Sequence, residues 1–160
     1  MGILDDVEIN VALSLPRDAA SVAVGRQVLS GCLEVLGVTP ATRSDIALAL
    51  GEACANVIQH AGPGDEYEVR ASAINGRCVI EVINTGSDAD SIELDGEPAP
   101  LTAEHGRGLQ IMDAVVDGLS LTGDDHKTMT VHFEKALQWL PGAPGQQLLA
   151  GSAGPDGRSG

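Results

Sequence analysis

Aromatic residues are almost missing from this chain: it has one Trp, one Tyr and one Phe in 160 residues. Its core must therefore be packed from Val, Leu, Ile and Ala, and the length suits one domain with a real interior. Positive charge is scarce too. Nine basic residues against 23 acidic ones leave a net charge of -14. A chain this acidic repels nucleic-acid phosphates and anionic membrane surfaces. It suits a basic protein partner or simple solubility. Any nucleotide would have to be held by Mg²⁺, backbone N–H groups and a few well-placed cations. Cys32, Cys54 and Cys78 are odd in number and widely spaced, so they form neither a metal pattern nor a disulfide framework and read as free thiols in a reducing cytosol. The first residues hold no basic run and no long apolar run, so neither a signal peptide nor a transmembrane segment is expected. Asp6 stands where a myristoylation signal needs Ser or Thr.

Val7 to Leu15 alternates loosely and stops at Pro16, which predicts a first strand at a sheet edge. Asp18 can cap a helix from Ala19 to Leu36, with Val22, Leu29, Leu33 and Leu36 on its buried face and Gly37 after its end. Thr39-Pro40 starts a second helix that closes at Gly62. Tyr67 to Ile74 and Cys78 to Ile83 read as a hairpin around Asn75-Gly76, a type I′ turn signal. Asn84 to Thr102 lacks periodicity and reads as a lid or partner-binding loop. A short helix opening at His105-Gly106-Arg107-Gly108-Leu109 follows, then a second hairpin from Leu119–Leu121 to Lys127–Phe133, and a helical turn over Glu134–Leu140. These elements predict an α+β two-layer sandwich, with helices on one face of a mixed, mainly antiparallel sheet. The ordered domain is expected over residues 1–140. The Gly/Pro-rich stretch 141–160 reads as a disordered tail.

The second helix carries the chemistry. Glu52, Asn56 and His60 recur every fourth residue, so they form one polar stripe. Ile46, Leu50, Ala53 and Val57 form the apolar stripe beside it. A carboxylate in such a stripe can take a proton from a hydroxyl. An amide oxygen can hold a hard cation such as Mg²⁺. Taken alone, the stripe is more simply a solvated face ending in a capping His. Two other segments tilt the balance. Val82-Ile83-Asn84-Thr85-Gly86 lies where a buried strand leaves the sheet, and Gly106-Arg107-Gly108-Leu109 stands at a helix start. Glycines there let backbone approach a phosphate, the helix N-terminus offers free N–H groups, and Arg107 adds a cation.

The ordered set resembles the ATP-binding domain shared by histidine kinases, type II topoisomerases and related ATPases. It is most similar to the small anti-sigma-factor serine/threonine kinases of bacteria, over about residues 8–135. Leu50-Gly51-Glu52-Ala53-Cys54-Ala55-Asn56-Val57-Ile58-Gln59-His60-Ala61 matches the family's helical motif, Gly106 to Met112 its glycine box and following helix, and Thr128 to Phe133 its last strand. The resemblance implies a cytoplasmic, ATP- and Mg²⁺-dependent kinase. It would hold a sigma factor, phosphorylate a Ser or Thr of an anti-anti-sigma partner, and form a homodimer. It gives Glu52 the role of general base and Asn56 that of Mg²⁺ ligand. Gly106, Arg107, Gly108 and Leu109 would close over the phosphates, and Thr128 would sit near the adenine. His60 completes the motif, where a structural hydrogen bond would serve equally well.

One segment departs from the family. Its first glycine box is Asp-x-Gly-x-Gly, whereas this chain has Asn84-Thr85-Gly86-Ser87-Asp88. Asn84 can still accept from the adenine amino group, more weakly than a carboxylate by about 1 kcal/mol. Asp88 brings a Cβ and a negative charge where the second glycine would be. The alternative is therefore a nucleotide-independent protein-binding regulator with a degenerate ATP site.

Overall fold

The computed structural model describes residues 8–60, 65–84, 103–124 and 128–149. The elements are β1 (Ile9–Pro16), α1 (Ala19–Leu36), α2 (Pro40–His60), β2 (Glu66–Ile74), β3 (Arg77–Asn84), α3 (Ala103–Val115), β4 (Gly118–Asp124), β5 (Thr128–Ala136) and α4 (Pro144–Leu149). The strands form one five-stranded sheet in the order β1-β2-β3-β5-β4, so β1 is an edge strand as its terminal Pro16 predicts. Each pairing is antiparallel. The expected two-layer α+β sandwich is present, but its sheet is antiparallel throughout the described strands rather than mixed. The hairpin logic accounts for two of the four pairings, because β2–β3 and β4–β5 are each joined by a short connection and need no crossover.

Strand alternation sorts the side chains. Tyr67, Val69, Ala71 and Ala73 of β2, Cys78, Ile80 and Val82 of β3, and Val131 and Phe133 of β5 are buried. Register pairs Val69 with Val82, and Val82 in turn with Val131, so these residues share the face toward the helices. α2 packs against both α1 and α3 and lies over β3 and β5. Its Ile46, Leu50, Ala53 and Val57 are fully buried, as the apolar stripe predicts. Burial of side chains the size of Ile46 or Leu50 stabilises the fold by about 2 kcal/mol each.

The helix ends follow local chemistry. Asp18 caps α1 by accepting from the Ala20 N–H at 3.0 Å. Gly37 ends it at φ 90, its N–H donating to Glu34 O while that of Val38 reaches Leu33 O. This paired pattern is a Schellman cap, which needs a left-handed residue at Gly37. The Thr42 N–H donates to Thr39 Oγ1 at 3.3 Å, capping α2. Asn75 (φ 52) and Gly76 (φ 77) form the left-handed pair that a type I′ turn requires.

Three expectations change. β5 continues to Ala136, and Trp139 then bridges back to Val38, so Glu134–Leu140 is not a helical turn. The stretch after residue 140 does not begin as a tail: α4 is formed, and Ala143 and Leu149 are buried. A Cβ on Gly37 would lie 2.4 Å from that of Ala143, which shows how closely this C-terminal piece is laid on the α1–α2 corner. Finally, α3 starts at Ala103, ahead of the glycine box. The lid expected over Asn84–Thr102 lies, beyond Asn84, outside the described residues, as do the expected α2 end at Gly62 and the tail from residue 150.

Candidate functional site between α2 and α3

Glu52 and Asn56 lie one turn apart on α2, beside the buried stripe and toward α3. Glu52 is half-buried. Asn56 is only 8% exposed. Its Nδ2 is buried with no hydrogen-bond partner. Leaving such a donor unpaired costs about 1–3 kcal/mol, so native interiors rarely keep one without a use. Since the amide can be turned either way, the same position offers an unpaired donor or an unpaired carbonyl oxygen.

α3 closes the other side. Met112 is fully buried, and Leu109, Val115 and Val116 pack against the core. Gly108 faces α2 so closely that an added Cβ would sit 3.0 Å from Glu52 Oε1. The glycine box therefore lies within the first two turns of α3, with Gly106 as its fourth residue and Gly108 as its sixth, instead of leading into the helix. On α2's other flank, Arg26 of α1 lies across Gly51, where a Cβ would meet its Cδ at 3.5 Å.

Asn84 ends β3 on the helix-facing side, 1% exposed, directly across from Tyr67. The Ser21 hydroxyl lies 2.8 Å from the carbonyls of Pro16 and Asp18 and 2.7 Å from Tyr67 Oη. A carbonyl can only accept, so Ser21 donates to the backbone and the Tyr67 O–H donates to Ser21. Burial pushes the Tyr67 hydroxyl up to about 12. Burial likewise pushes the thiols of Cys54 and Cys78 up to about 12. Neither thiol is a nucleophile at neutral pH.

Glu52 thus stands against Gly108, with Asn56 one turn along α2 and Leu109 packed on the core, while Asn84 ends β3 on the helix-facing side. Gly106 and Arg107 lie in α3 by their backbone. The side chains of Arg107, His60 and Thr128 are outside the described residues, as are Gly86 and Asp88. Thr128 is the first residue of β5. The sequence reading overlooked Met129. The ladder runs Ile83 opposite Thr130, so the next positions are Asn84 and Met129. Met129 shares the parity of Val131 and Phe133 and packs against the core. Period-two counting back from Phe133 would have found it. Among the described residues no group of three or more His, Cys, Asp or Glu could hold a metal. A hard cation at this site would take the Asn56 amide oxygen and fill its remaining positions with water or phosphate oxygens.

The chain is similar to known proteins in sequence and in fold. The chain is 27% identical over 138 residues to the serine-protein kinase RsbW of Bacillus subtilis, a match spanning 79% of this chain and 85% of that one. It is 26% identical over 138 residues to RsbW of Bacillus thuringiensis, with 80% and 85% covered. In structure it is similar to the RsbU and RsbW domains of a Mycobacterium tuberculosis protein, with TM-score 0.62 and 19% identity over 81% of this chain and 32% of that one. It thus spans about a third of that longer chain. The SiaB–SiaC complex of Pseudomonas aeruginosa gives TM-score 0.53 and 16% identity over 78% of this chain and 88% of that one. The family model of the histidine kinase-like ATPase domain matches residues 15–133, which run from the last two residues of β1 to Phe133 of β5, and the chain accordingly belongs to the histidine kinase-like ATPase domain family.

Proposed function

We propose that this chain is an ATP- and Mg²⁺-dependent protein serine/threonine kinase of the anti-sigma type. It binds a sigma factor and phosphorylates a Ser or Thr of an anti-anti-sigma partner. The observation that carries this reading is Asn56 Nδ2, buried without a hydrogen-bond partner one turn from Glu52, whose carboxylate in turn faces Gly108 of α3. The names of the RsbW relatives support the kinase class.

The residues fit the nucleotide and its cation. Asn56 would supply one amide oxygen to Mg²⁺, and Asn84 would accept from the adenine amino group. Gly106, Arg107, Gly108 and Leu109 would hold the phosphates, and Thr128 would serve the base. Mg²⁺, when bound, neutralises the charge that develops on the transferring phosphoryl group. The partner's hydroxyl is placed against Glu52, which takes its proton as the hydroxyl oxygen bonds to the γ-phosphorus. The bond from that phosphorus to the bridging oxygen breaks, and ADP leaves. Most of the catalysis is positioning and charge neutralisation, which a rigid α2 can supply. We place the reaction in the cytoplasm, with the chain acting as a homodimer.

The test is transfer of label from γ-labelled ATP to a partner captured with this protein. Native protein should give phosphoserine or phosphothreonine on the partner, and Glu52→Gln should bind ATP but lose about 10²- to 10⁴-fold in transfer. Equal labelling by Glu52→Gln, or label on a histidine, would contradict the assignment.

A further inference from the structure

Arg17 stands between the end of β1 and the start of α1, yet its side chain serves α2. Its Nη2 donates to the carbonyl of Val57 at 3.2 Å and to that of Ile58 at 2.9 Å. Its backbone N–H donates to Asp65 O at 3.0 Å. One residue thus grips the chain on both sides of the 61–64 connection between α2 and β2. Its own backbone is held from both directions. Pro16 fixes the strand end, and Asp18 donates to Pro16 O at 2.8 Å while capping α1.

α2 ends at His60, so Val57 and Ile58 carry two of the last four carbonyls, which no amide of the helix can reach. A guanidinium suits them, because its planar Nη2 can donate to both carbonyls at once and it places positive charge at the negative end of the helix. Asn56 lies in that same last stretch, four residues before the end. A helix end without such a partner frays, and a frayed end would release the carboxamide whose Nδ2 is buried without a partner here.

We infer that Arg17 is a positioning residue: by holding the last turn of α2 it fixes the Asn56 carboxamide where Mg²⁺-bound ATP takes it. The inference rests on the proposed kinase reading for its ligand, but the grip on the helix end can be read without any nucleotide. Lysine would keep the charge but not the fixed guanidinium plane that aims Nη2 at both carbonyls, so Arg17→Lys should recover only part of what Arg17→Ala loses.

The experiment compares native protein, Arg17→Lys and Arg17→Ala by two readouts. Amide hydrogen exchange without nucleotide should quicken about tenfold at Val57–His60 in Arg17→Ala and stay unchanged at Ile46–Leu50. ATP affinity with Mg²⁺ should fall about tenfold in Arg17→Ala, while affinity with a chelator present changes less than about twofold. Arg17→Lys should fall between native and Arg17→Ala on both readouts. Unchanged exchange at Val57–His60 would overturn the inference. So would an equal loss of ATP affinity with and without Mg²⁺, since that marks a general structural defect. If the native protein shows no Mg²⁺-dependent affinity while Arg17→Ala still exchanges faster, the kinase reading has failed and takes the metal role of Arg17 with it. The exchange result shows which of the two gave way.

Discussion

The α carbon of Gly108 is held so close to Glu52 that a methyl group in place of its hydrogen would stand 3.0 Å from the carboxylate oxygen Oε1. Glycine at this point of α3 is therefore matched to a particular side chain on α2. Gly108→Ala should push the Glu52 carboxylate off its position without removing any group from the site. Phosphate transfer should fall about tenfold further than ATP affinity does. Steady-state kinetics separates the two. A loss confined to ATP affinity would mean that Gly108 serves the nucleotide alone.

Asn84 should set the base preference. It is buried at the end of β3 on the helix-facing side, and an adenine amino group is the donor it would meet. Asn84→Ala should weaken ATP binding about tenfold and erase any preference for ATP over GTP. Competition between the two nucleotides measures this directly. Retained discrimination would move the base to another part of the sheet.

Gly37 answers two demands at once, a left-handed backbone and the close approach of Ala143. Gly37→Ala should destabilise the full chain by about 2–3 kcal/mol, from the φ 90 backbone and the contact together. In a chain ending at Pro141 the same change should cost only about 1–2 kcal/mol, since the contact is gone. Denaturant titration of the four proteins gives the coupling. Equal costs would show that α4 contributes nothing at this corner.

The buried thiols and the Tyr67 hydroxyl set a limit on the alkaline side. Cys54 and Cys78 rise from 9.0 to about 12 on folding, and Tyr67 rises from 10.0 to about 12. Folding thus favours their protonated forms. Their contribution is complete below pH 9 and is lost as pH climbs toward 12. Stability measured against pH should therefore be level on this account up to about 9 and decline above it, with a shallower decline in Cys78→Ala. A slope unaffected by that substitution would place the titration elsewhere.

Much of this molecule was legible in its residues because the signals were local. Asp18, Thr39-Pro40 and Gly37 mark helix ends by their own hydrogen bonds, and Asn75-Gly76 fixes a turn by its backbone alone. The Glu52–Asn56 spacing is a property of any helix, so its stripe needed no tertiary information. What escaped depended on contacts far apart in sequence. The α4 segment is poor in any periodic signal, and it is ordered because Ala143 and Gly145 fit against Gly37, Leu36 and Trp139. The start of α3 was placed too late because glycines are weak helix formers. Packing of Leu109 and Met112 on the core outweighs that weakness. The partner of Gly108 could be learned only from the fold.

The most direct test of the central claim is calorimetric titration of ATP with Mg²⁺ into native protein and into Asn56→Ala. Micromolar binding that is lost in the variant is the predicted result, since Asn56 supplies the buried amide at the heart of the site. No detectable heat up to millimolar ATP would contradict the kinase account and leave the fold as a protein-binding scaffold.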